Sequence, residues 1–255
     1  MISNYHTHTV RCNHAYGEEK EYVEHAIRRG LSILGFSDHT PQYFPGNYYS
    51  TMRMRPYELP EYCMAVRNLQ ATYRDQIRIH LGLEAEFYPA IWGNLLSRLQ
   101  DNGVEYLILG QHWLGNEQFE HGSAGPTADE ELLRRYCHQV MDALETGKFT
   151  YIAHPDLLNF TGDRKIYCQH MRELVRAAKQ SNTPLEINLL GMAYNRHYPN
   201  EHFWEIAAEE GCQAILGLDA HAPDHIMNLE TEQRALEMVQ RLGLELLEAV
   251  QLKQI

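Results

Sequence analysis

Three histidines lie close together near the start of the sequence, in the stretch NYHTHTVRCNHA at residues 4–15. His6 and His8 are two residues apart, and in an extended chain such side chains point to the same side. Two neutral imidazoles that converge at the end of a strand are a common way to hold a metal ion. A polar turn that happens to contain histidine would look the same over so short a stretch, so the rest of the chain has to decide.

Seven apolar or β-branched runs alternate with helical patterns along the chain. They cover residues 1–5, 32–37, 77–83, 104–110, 149–153, 184–189 and 213–218. Glycines of the kind that end helices stand before several of these runs, at Gly30, Gly103, Gly147 and Gly211. Alternating β and α units predict a parallel sheet, and at this chain length they favour a barrel of seven or eight strands. An open doubly wound sheet is the alternative.

A histidine, a carboxylate or a polar cluster follows each of these predicted strands. In chain order the groups are His6 and His8, Asp38 and His39, Glu84 and Glu86, His112, His154 and Asp156, the segment EINLLGMAYNRH at residues 186–197, and Asp219 and His221. The carboxyl ends of the strands form the rim where barrel enzymes build their active sites. Core histidines would instead scatter over helix faces and both ends of the strands. We therefore expect these groups to form one site.

Nine groups near this rim could bind metal through nitrogen or oxygen. They are His6, His8, His14, His39, Glu84, His112, His154, Asp219 and His221. Such donors suit Zn, Mn or Fe, and nine groups exceed the roughly four ligands of one tetrahedral ion, which predicts two to three divalent ions. Closely spaced ions stabilise the attacking and leaving oxygens of a phosphoester displacement and generate hydroxide at neutral pH. With no redox motif in the sequence, the cluster predicts a hydrolase.

Composition limits the possible partners and the compartment. The chain has 255 residues and a formal charge of -12, which disfavours binding to long nucleic acids. Its polar start does not resemble a signal peptide, and no apolar run approaches the length of a membrane span. The five cysteines are scattered and contain no CxxC pair, which argues against a disulfide framework. We therefore expect a cytoplasmic protein that acts on a small phosphorylated metabolite. The sequence leaves the oligomeric state open.

Taken in chain order, the histidine and carboxylate motifs resemble those of the PHP (polymerase and histidinol phosphatase) family. The matching motifs are HxH at His6 and His8, the later His14, DH at His39, GxE at Glu84, His112, HP at His154, and DAH at Asp219 and His221. This resemblance runs from the first predicted strand to the seventh. It implies one PHP-type domain over residues 1–255, folded as a distorted (β/α)7 TIM-like barrel with a trinuclear metal site.

The resemblance also implies which groups would share an ion. His6, His8, Glu84 and Asp219 would hold one ion, Glu84, His112 and His154 a second, and His14, His39 and His221 a third. Three of these ligands, Glu84, Asp219 and His221, are our candidate catalytic groups.

Within the family, several local motifs resemble the monofunctional histidinol phosphatases of histidine biosynthesis. They are CNHA around His14, DHTP from Asp38 onwards, MRMR at residues 52–55, and GLEAEF at residues 82–87. This resemblance implies hydrolysis of histidinol phosphate. A phosphoesterase or exonuclease acting on nucleotides or short oligonucleotides is the alternative within the family. A non-catalytic, metal-binding regulatory barrel is the alternative from another class, although none of the nine expected ligands is missing.

Four residues in two loops are candidates for binding the substrate. The loop after the sixth predicted strand reads GMAYNRHYPN and places Arg196 and His197 on the rim. A guanidinium there could donate two hydrogen bonds to a phosphoryl group, a geometry that lysine cannot copy. Arg53 and Arg55, in the long loop after His39, are competing candidates. A solvated or structural role is an equal interpretation for all three arginines.

Three further carboxylates beside predicted ligands have two possible roles each. Asp38 and Asp156 could orient an imidazole or cap a turn. Glu86, two residues after Glu84, could face the cluster or pair with an arginine. We expect Cys12 to be a small buried side chain rather than a ligand.

Overall fold

The computed structural model describes residues 1–118 and 122–255 of the chain. The strands of these residues are β1 (Ser3–Asn4), β2 (Ile33–His39), β3 (Arg78–Ala85), β4 (Tyr106–Leu109), β5 (Phe149–Ile152), β6 (Leu185–Asn188), β7 (Gln213–Gly217) and β8 (Glu245–Leu246). The helices are α1 (Glu19–Arg29), α2 (Leu59–Tyr73), α3 (Pro89–Asp101), α4 (Glu130–Glu145), α5 (Arg164–Gln180), α6 (Leu189–Ala193), α7 (Glu201–Glu210) and α8 (Leu229–Leu242). Among the helices of the described residues, none has the length and apolarity required to cross a membrane.

The described strands pair in parallel and in chain order. β1 to β7 fall on the seven apolar runs of the sequence. The longest register joins β2 to β3, from Ile33 opposite Arg78 to His39 opposite Glu84, and so brings two predicted ligands side by side at the end of the sheet. The short strand β8 pairs with the amino end of β7 and has no counterpart among the predicted runs.

The sheet closes on itself just beyond the carboxyl ends of β1 and β7. The backbone N–H of His8 donates to the carbonyl of Ala220 (2.9 Å), and the N–H of Ala220 donates to the carbonyl of His6 (3.2 Å). At the opposite end, where β8 lies beside β7, the hydroxyl of Ser3 donates to the carbonyl of Glu248. The prediction of a distorted, TIM-like α/β barrel is therefore confirmed, and the alternative of an open sheet is wrong.

Helix α1 illustrates how the local sequence sets these elements. At its amino end, the backbone N–H of Glu18 donates to the carboxylate of Glu21 (2.7 Å), which satisfies a donor that a helix start leaves free. One face of the helix is buried, at Tyr22, Val23 and Ala26. The helix ends at Gly30, whose φ of +86° lies in the left-handed region that favours glycine.

Tyrosines fill the interior of the barrel next to the amino ends of the strands. Tyr106 is fully buried, and its hydroxyl donates to the carbonyls of Tyr5 (2.8 Å) and Phe36 (3.1 Å). Gly82 makes room for this ring, since a Cβ there would lie 2.2 Å from it. Tyr151 belongs to the same interior cluster. Aromatic rings therefore fill this part of the barrel interior.

Candidate metal centre

The structure brings the nine predicted ligand groups together at the carboxyl ends of the strands. Glu84, in β3, lies at their centre and is 1% exposed. Its two carboxylate oxygens lie 2.8–3.5 Å from nitrogen atoms of the imidazoles of His6, His8, His39, His112 and His154. Both oxygens of this carboxylate are thus surrounded by groups that can bind metal.

Asp219 forms a second point of convergence beyond β7. Its Oδ1 lies 3.4 Å from Nε2 of His6, 3.1 Å from Nε2 of His8, and 3.3 Å from Nδ1 of His221. Asp219 has a φ of +49° and His154 a φ of +31°, which residues other than glycine seldom adopt. Backbone strain of this kind persists where the surrounding structure enforces it, and it concentrates at functional sites.

His14, His39 and His221 form a third group, in which one potential ligand atom of each lies within 4.8 Å of the others. Two of these rings are held by backbone carbonyls. Nδ1 of His14 lies 2.8 Å from the carbonyl of Cys12, and Nδ1 of His221 lies 3.0 Å from that of Asp219. Because each carbonyl accepts a hydrogen bond from the N–H at Nδ1, the lone pair of each ring is left on Nε2, where it can bind a metal.

Unpaired buried atoms indicate that a cation belongs among these groups. Within the described part of the chain, seven buried atoms of the cluster have no hydrogen-bond partner: Nε2 of His6, Nδ1 and Nε2 of His8, Nδ1 of His39, Oε2 of Glu84, Nδ1 of His154 and Oδ1 of Asp219. Buried polar atoms are almost always paired, because leaving one unpaired costs about 1–3 kcal/mol. Imidazole nitrogens and carboxylate oxygens are donors that Zn, Mn and Fe accept, so the residues present fit divalent ions.

The pKa shifts of the cluster fall into two sets. Burial lowers the pKa of His6 and His8, but the carboxylates around them raise it well above the usual value, so a metal ion would have to displace a proton from each of these rings. Burial opposes ionisation of Glu84 and Asp219, but the surrounding imidazoles hold the pKa of both carboxyl groups well below the usual range. Burial lowers the pKa of His39 and lowers that of His221 to about 3. Both carboxylates are therefore ionised and both of these imidazoles neutral at pH 7, which are the forms that bind metal.

Carboxylates outside the cluster accept hydrogen bonds from two of its rings. Nδ1 of His6 lies 2.8 Å from Oε2 of Glu186, and Nδ1 of His112 lies 3.1 Å from Oε1 of Glu86. Hydrogen bonds of this type fix the orientation and the tautomer of a ligating histidine. A third carboxylate, Asp38, lies 3.6 Å from Nδ1 of His8, beyond hydrogen-bond distance, and accepts hydrogen bonds from Thr9.

Glu186 was not identified from the sequence as a site residue. It lies in β6 between apolar neighbours and is fully buried, and an ionisable residue inside an apolar strand is the signal that could have revealed it. Gly217 on the neighbouring strand leaves room for its side chain, because a Cβ there would lie 2.3 Å from the Glu186 carboxyl carbon.

A cavity of about 370 Å³ opens over the cluster. Arg196 lines its edge, and Nη1 of Arg196 donates to the hydroxyl of Tyr198 (2.6 Å). His225, a residue that the sequence analysis did not single out, also lines the cavity, and its Nδ1 accepts a hydrogen bond from the backbone of His221 (3.2 Å). His197 is not among the described residues that line the cavity. Its Nε2 lies 2.7 Å from the carbonyl of Leu157, a residue that does line it.

The two arginines of the loop after β2 are not among the described residues that line the cavity. Arg53 is buried, and its guanidinium is bound by the carboxylates of Glu86 and Glu117. Arg55 is exposed and stacks on the ring of Tyr49 at 3.9 Å. Neither guanidinium is therefore placed to bind phosphate in this structure, because Arg53 already has carboxylate partners and Arg55 stacks on Tyr49 outside the described lining of the cavity.

The structure also shows the contacts of Glu86, Asp156 and Cys12. Glu86 pairs with an arginine, which was one of its two predicted roles. Oδ2 of Asp156 accepts a hydrogen bond from the backbone N–H of Asn200 just before α7, so it caps this turn. Burial raises the pKa of Asp156 to about 7. Cys12 is fully buried at the edge of the cluster, with its thiol within 4.8 Å of ligand atoms of His8 and His221.

Most of the chain is similar in sequence to known proteins. The sequence model of the PHP domain matches residues 4–189. A probable histidinol-phosphatase of Deinococcus radiodurans is 31% identical over 230 residues, which cover 87% of this chain and 86% of that protein. The histidinol-phosphatase of Lactococcus lactis is 25% identical over 72% of this chain and 70% of its own length.

Solved structures share the fold. A crystal structure of histidinol phosphate phosphatase from Lactococcus lactis, complexed with Zn, L-histidinol and phosphate, superposes with a TM-score of 0.73 at 21% identity and covers 96% of this chain and 95% of that chain. A putative histidinol phosphatase from Listeria monocytogenes gives a TM-score of 0.74 at 19% identity, over 89% of this chain and 97% of that chain. From the match to the domain model and the relative that is 31% identical, the chain belongs to the PHP domain family.

Proposed function

We propose that this chain is a metal-dependent phosphomonoesterase that hydrolyses L-histidinol phosphate to L-histidinol and phosphate, a reaction of histidine biosynthesis. The observation that carries the proposal is Glu84, whose two buried oxygens face five imidazoles beneath an open cavity. The names of the relatives at 31% and 25% identity support the choice of substrate. We assign the activity to one barrel domain over residues 1–255.

The nine groups are proposed to hold two to three divalent ions, Zn, Mn or Fe. The proposed ligand sets are His6, His8, Glu84 and Asp219 for one ion, Glu84, His112 and His154 for another, and His14, His39 and His221 for a third. The proximity of the atoms in each set supports this division. When bound, such ions supply positive charge that neutralises phosphoryl oxygens and acidifies water.

The residues around the ions have separate tasks in this proposal. Glu84 and Asp219 keep their negative charge, because the imidazoles around them lower the pKa of both carboxyl groups, and they would hold the ions. Arg196 reaches over the cavity and can donate two hydrogen bonds to the phosphoryl group. The Tyr198 hydroxyl, bound to Nη1 of Arg196, fixes the direction of the guanidinium.

The charge distribution favours a small phosphomonoester over nucleic acid. Among the described residues that line the cavity, Arg196 is the only arginine or lysine. Binding several nucleotides would require basic and aromatic residues that follow the strand beyond one phosphate. The formal charge of -12 repels a polyanion outside the cavity.

A substrate panel tests this proposal. Protein reconstituted with Zn, Mn or Fe should hydrolyse histidinol phosphate with at least tenfold higher kcat/KM than p-nitrophenyl phosphate, a mononucleotide or a short oligonucleotide. The reason is that binding energy from the remote imidazole and amine is available in the transition state. Glu84→Gln, purified in the same way, controls for contaminating phosphatases. A mononucleotide or oligonucleotide that is the better substrate by tenfold or more would contradict the proposal.

A further inference from the structure

Arg53 lies in a buried ionic cluster at the side of the candidate metal centre. It is 2% exposed. Its guanidinium binds Glu86 in a forked geometry, with Nη1 2.9 Å from Oε2 and Nη2 2.8 Å from Oε1. Oε2 of Glu117 accepts from Nη2 (2.6 Å) and from Nε (3.0 Å) of the same guanidinium. Forked arginine–carboxylate pairs are among the strongest and most directional hydrogen bonds in proteins.

The same guanidinium joins two loops of the rim. Within the loop that follows β2, Nη1 of Arg53 donates to the carbonyl of Thr40 (3.2 Å), and Nε donates to the hydroxyl of Ser50 (3.2 Å). Glu117 belongs to the loop after β4 and also accepts a hydrogen bond from Tyr48 (3.0 Å). Arg53 thus connects the two loops to Glu86, which lies directly after β3.

Glu86 connects this ionic cluster to the metal centre. Its Oε1, which receives Nη2 of Arg53, also lies 3.1 Å from Nδ1 of His112. The carboxylate accepts a hydrogen bond from the N–H at Nδ1 of His112, which leaves the lone pair on Nε2. Nε2 is the atom that lies 3.5 Å from Oε1 of Glu84. The orientation of His112 as a ligand therefore depends on where the Glu86 carboxylate is held.

We infer that Arg53 is a positioning residue for His112, and that it acts through Glu86. Without the forked pair, the Glu86 carboxylate can rotate, and His112 loses the partner that fixes its ring and its tautomer. The affinity for the ion that His112 binds then falls. The inference rests on the ligand role proposed for His112. Loss of Arg53 should therefore lower the affinity for metal. If Arg53 instead bound substrate, its loss would leave the affinity for metal unchanged.

A purely structural role for Arg53 would have a different signature. In that case Arg53 would only hold the loops together, and the loss of either carboxylate partner would have the same effect. Glu86 and Glu117 are both buried, and both bind the guanidinium. In the described structure Glu86 contacts His112, whereas the contacts of Glu117 are with Arg53 and Tyr48. The pair Glu86→Gln and Glu117→Gln therefore separates the two roles.

The test measures zinc affinity by competition with a chelator and ions per chain by elemental analysis. Arg53→Lys and Glu86→Gln should each weaken the binding of one ion by roughly 10–100-fold, as is usual when a partner of a ligating histidine is lost. The double variant Arg53→Lys/Glu86→Gln should bind zinc no more weakly than the single variant with the lower zinc affinity, because both substitutions act on His112 through the same carboxylate. Glu117→Gln, and Arg55→Ala as the exposed control in the same loop, should stay within about threefold of the wild type.

The results separate this inference from the proposed site. A wild-type protein that binds no ion contradicts the metal centre itself. Three results overturn only the role of Arg53: unchanged zinc affinity in Arg53→Lys, equal losses in Glu86→Gln and Glu117→Gln, or additive losses in the double variant. Thermal unfolding of the metal-stripped proteins checks folding. If Arg53→Lys does not fold, the comparison of Glu86→Gln with Glu117→Gln decides alone, and equal zinc affinities of that pair count against the inference.

Discussion

Arg196 extends along the edge of the cavity, with its guanidinium held by the Tyr198 hydroxyl at 2.6 Å. Its role in binding phosphate is a proposal that kinetics can test. Arg196→Ala should lower kcat/KM for histidinol phosphate by roughly ten- to a thousandfold, since a charge-assisted hydrogen bond contributes about 1.5–3 kcal/mol and the forked geometry can add to this. Arg196→Lys should recover only part of the loss, because lysine cannot donate in a forked geometry.

The control for this prediction is the metal content. Arg196 is not one of the proposed ligands, so the number of ions per chain should not change in either variant, and the defect should lie in KM or kcat alone. Arg55→Ala, an exposed arginine outside the described lining of the cavity, should behave like the wild type. Near-wild-type kinetics for Arg196→Ala would remove the proposed phosphate contact.

The sequence predicted the location of some site residues and not of others. The histidines and carboxylates that follow strands could be grouped, because parallel strands bring their carboxyl ends to one rim. Pairing of Glu86 with an arginine was one prediction, but the sequence did not show that this arginine is Arg53 or that Glu117 is its second partner. Glu86 and Glu117 are 33 and 64 residues away along the chain, and the ion pairs form only when two loops fold over the rim. Glu186 was missed because its strand reads as an apolar run.

Strand β4 shows how a glycine at the end of an element controls the site. Gly110 follows this strand, and a Cβ there would lie 1.9 Å from Oε1 of Glu84. Gly110→Ala should therefore displace the proposed bridging carboxylate. We expect the protein to bind fewer ions and to lose at least a hundredfold in kcat/KM, beyond an overpacking cost of about 1–3 kcal/mol in the free energy of unfolding. Elemental analysis and thermal unfolding measure the two effects.

A second glycine provides the matched control for Gly110. Gly93 lies inside α3, and a Cβ there would meet no described atom within 4 Å. Gly93→Ala should leave the metal content unchanged and raise the free energy of unfolding by about 0.5–1 kcal/mol, as alanine does in helices. If Gly110→Ala binds as many ions as the wild type, Glu84 does not depend on the space that Gly110 leaves.

Elements that lie in apolar runs or carry a helical pattern were predictable, and two short elements without such a pattern were not. The apolar runs of β1 to β7 marked the strands, and a glycine with a positive φ ends α1 and α7, at Gly30 and Gly211. The two-residue strand β8 and the five-residue helix α6 carry too few residues for any periodicity. Both depend on contacts made after the barrel has formed, such as the pairing of β8 with β7.

At the scale of the whole molecule, closure of the barrel gathers the ligand groups. The hydrogen bonds that join His8 to Ala220 and Ala220 to His6 bring the first and last predicted ligands of the chain to the same side of the rim. The alternation of strands and helices favoured a barrel but left an open doubly wound sheet as the alternative, and the family resemblance implied the distorted barrel. The number of bound ions stays a prediction, because it depends on how nine groups divide among sites that share Glu84.

Reconstitution with metal tests the central claim most directly. The protein is stripped with a chelator and reloaded with Zn, Mn or Fe, and ions per chain and phosphate release from histidinol phosphate are measured on the same samples. We predict no activity in the stripped protein, and full activity at about two to three ions per chain, as expected of a clustered hydrolytic site. Glu84→Gln should bind fewer ions and stay inactive. Full activity in a preparation with one ion or fewer per chain would contradict the account.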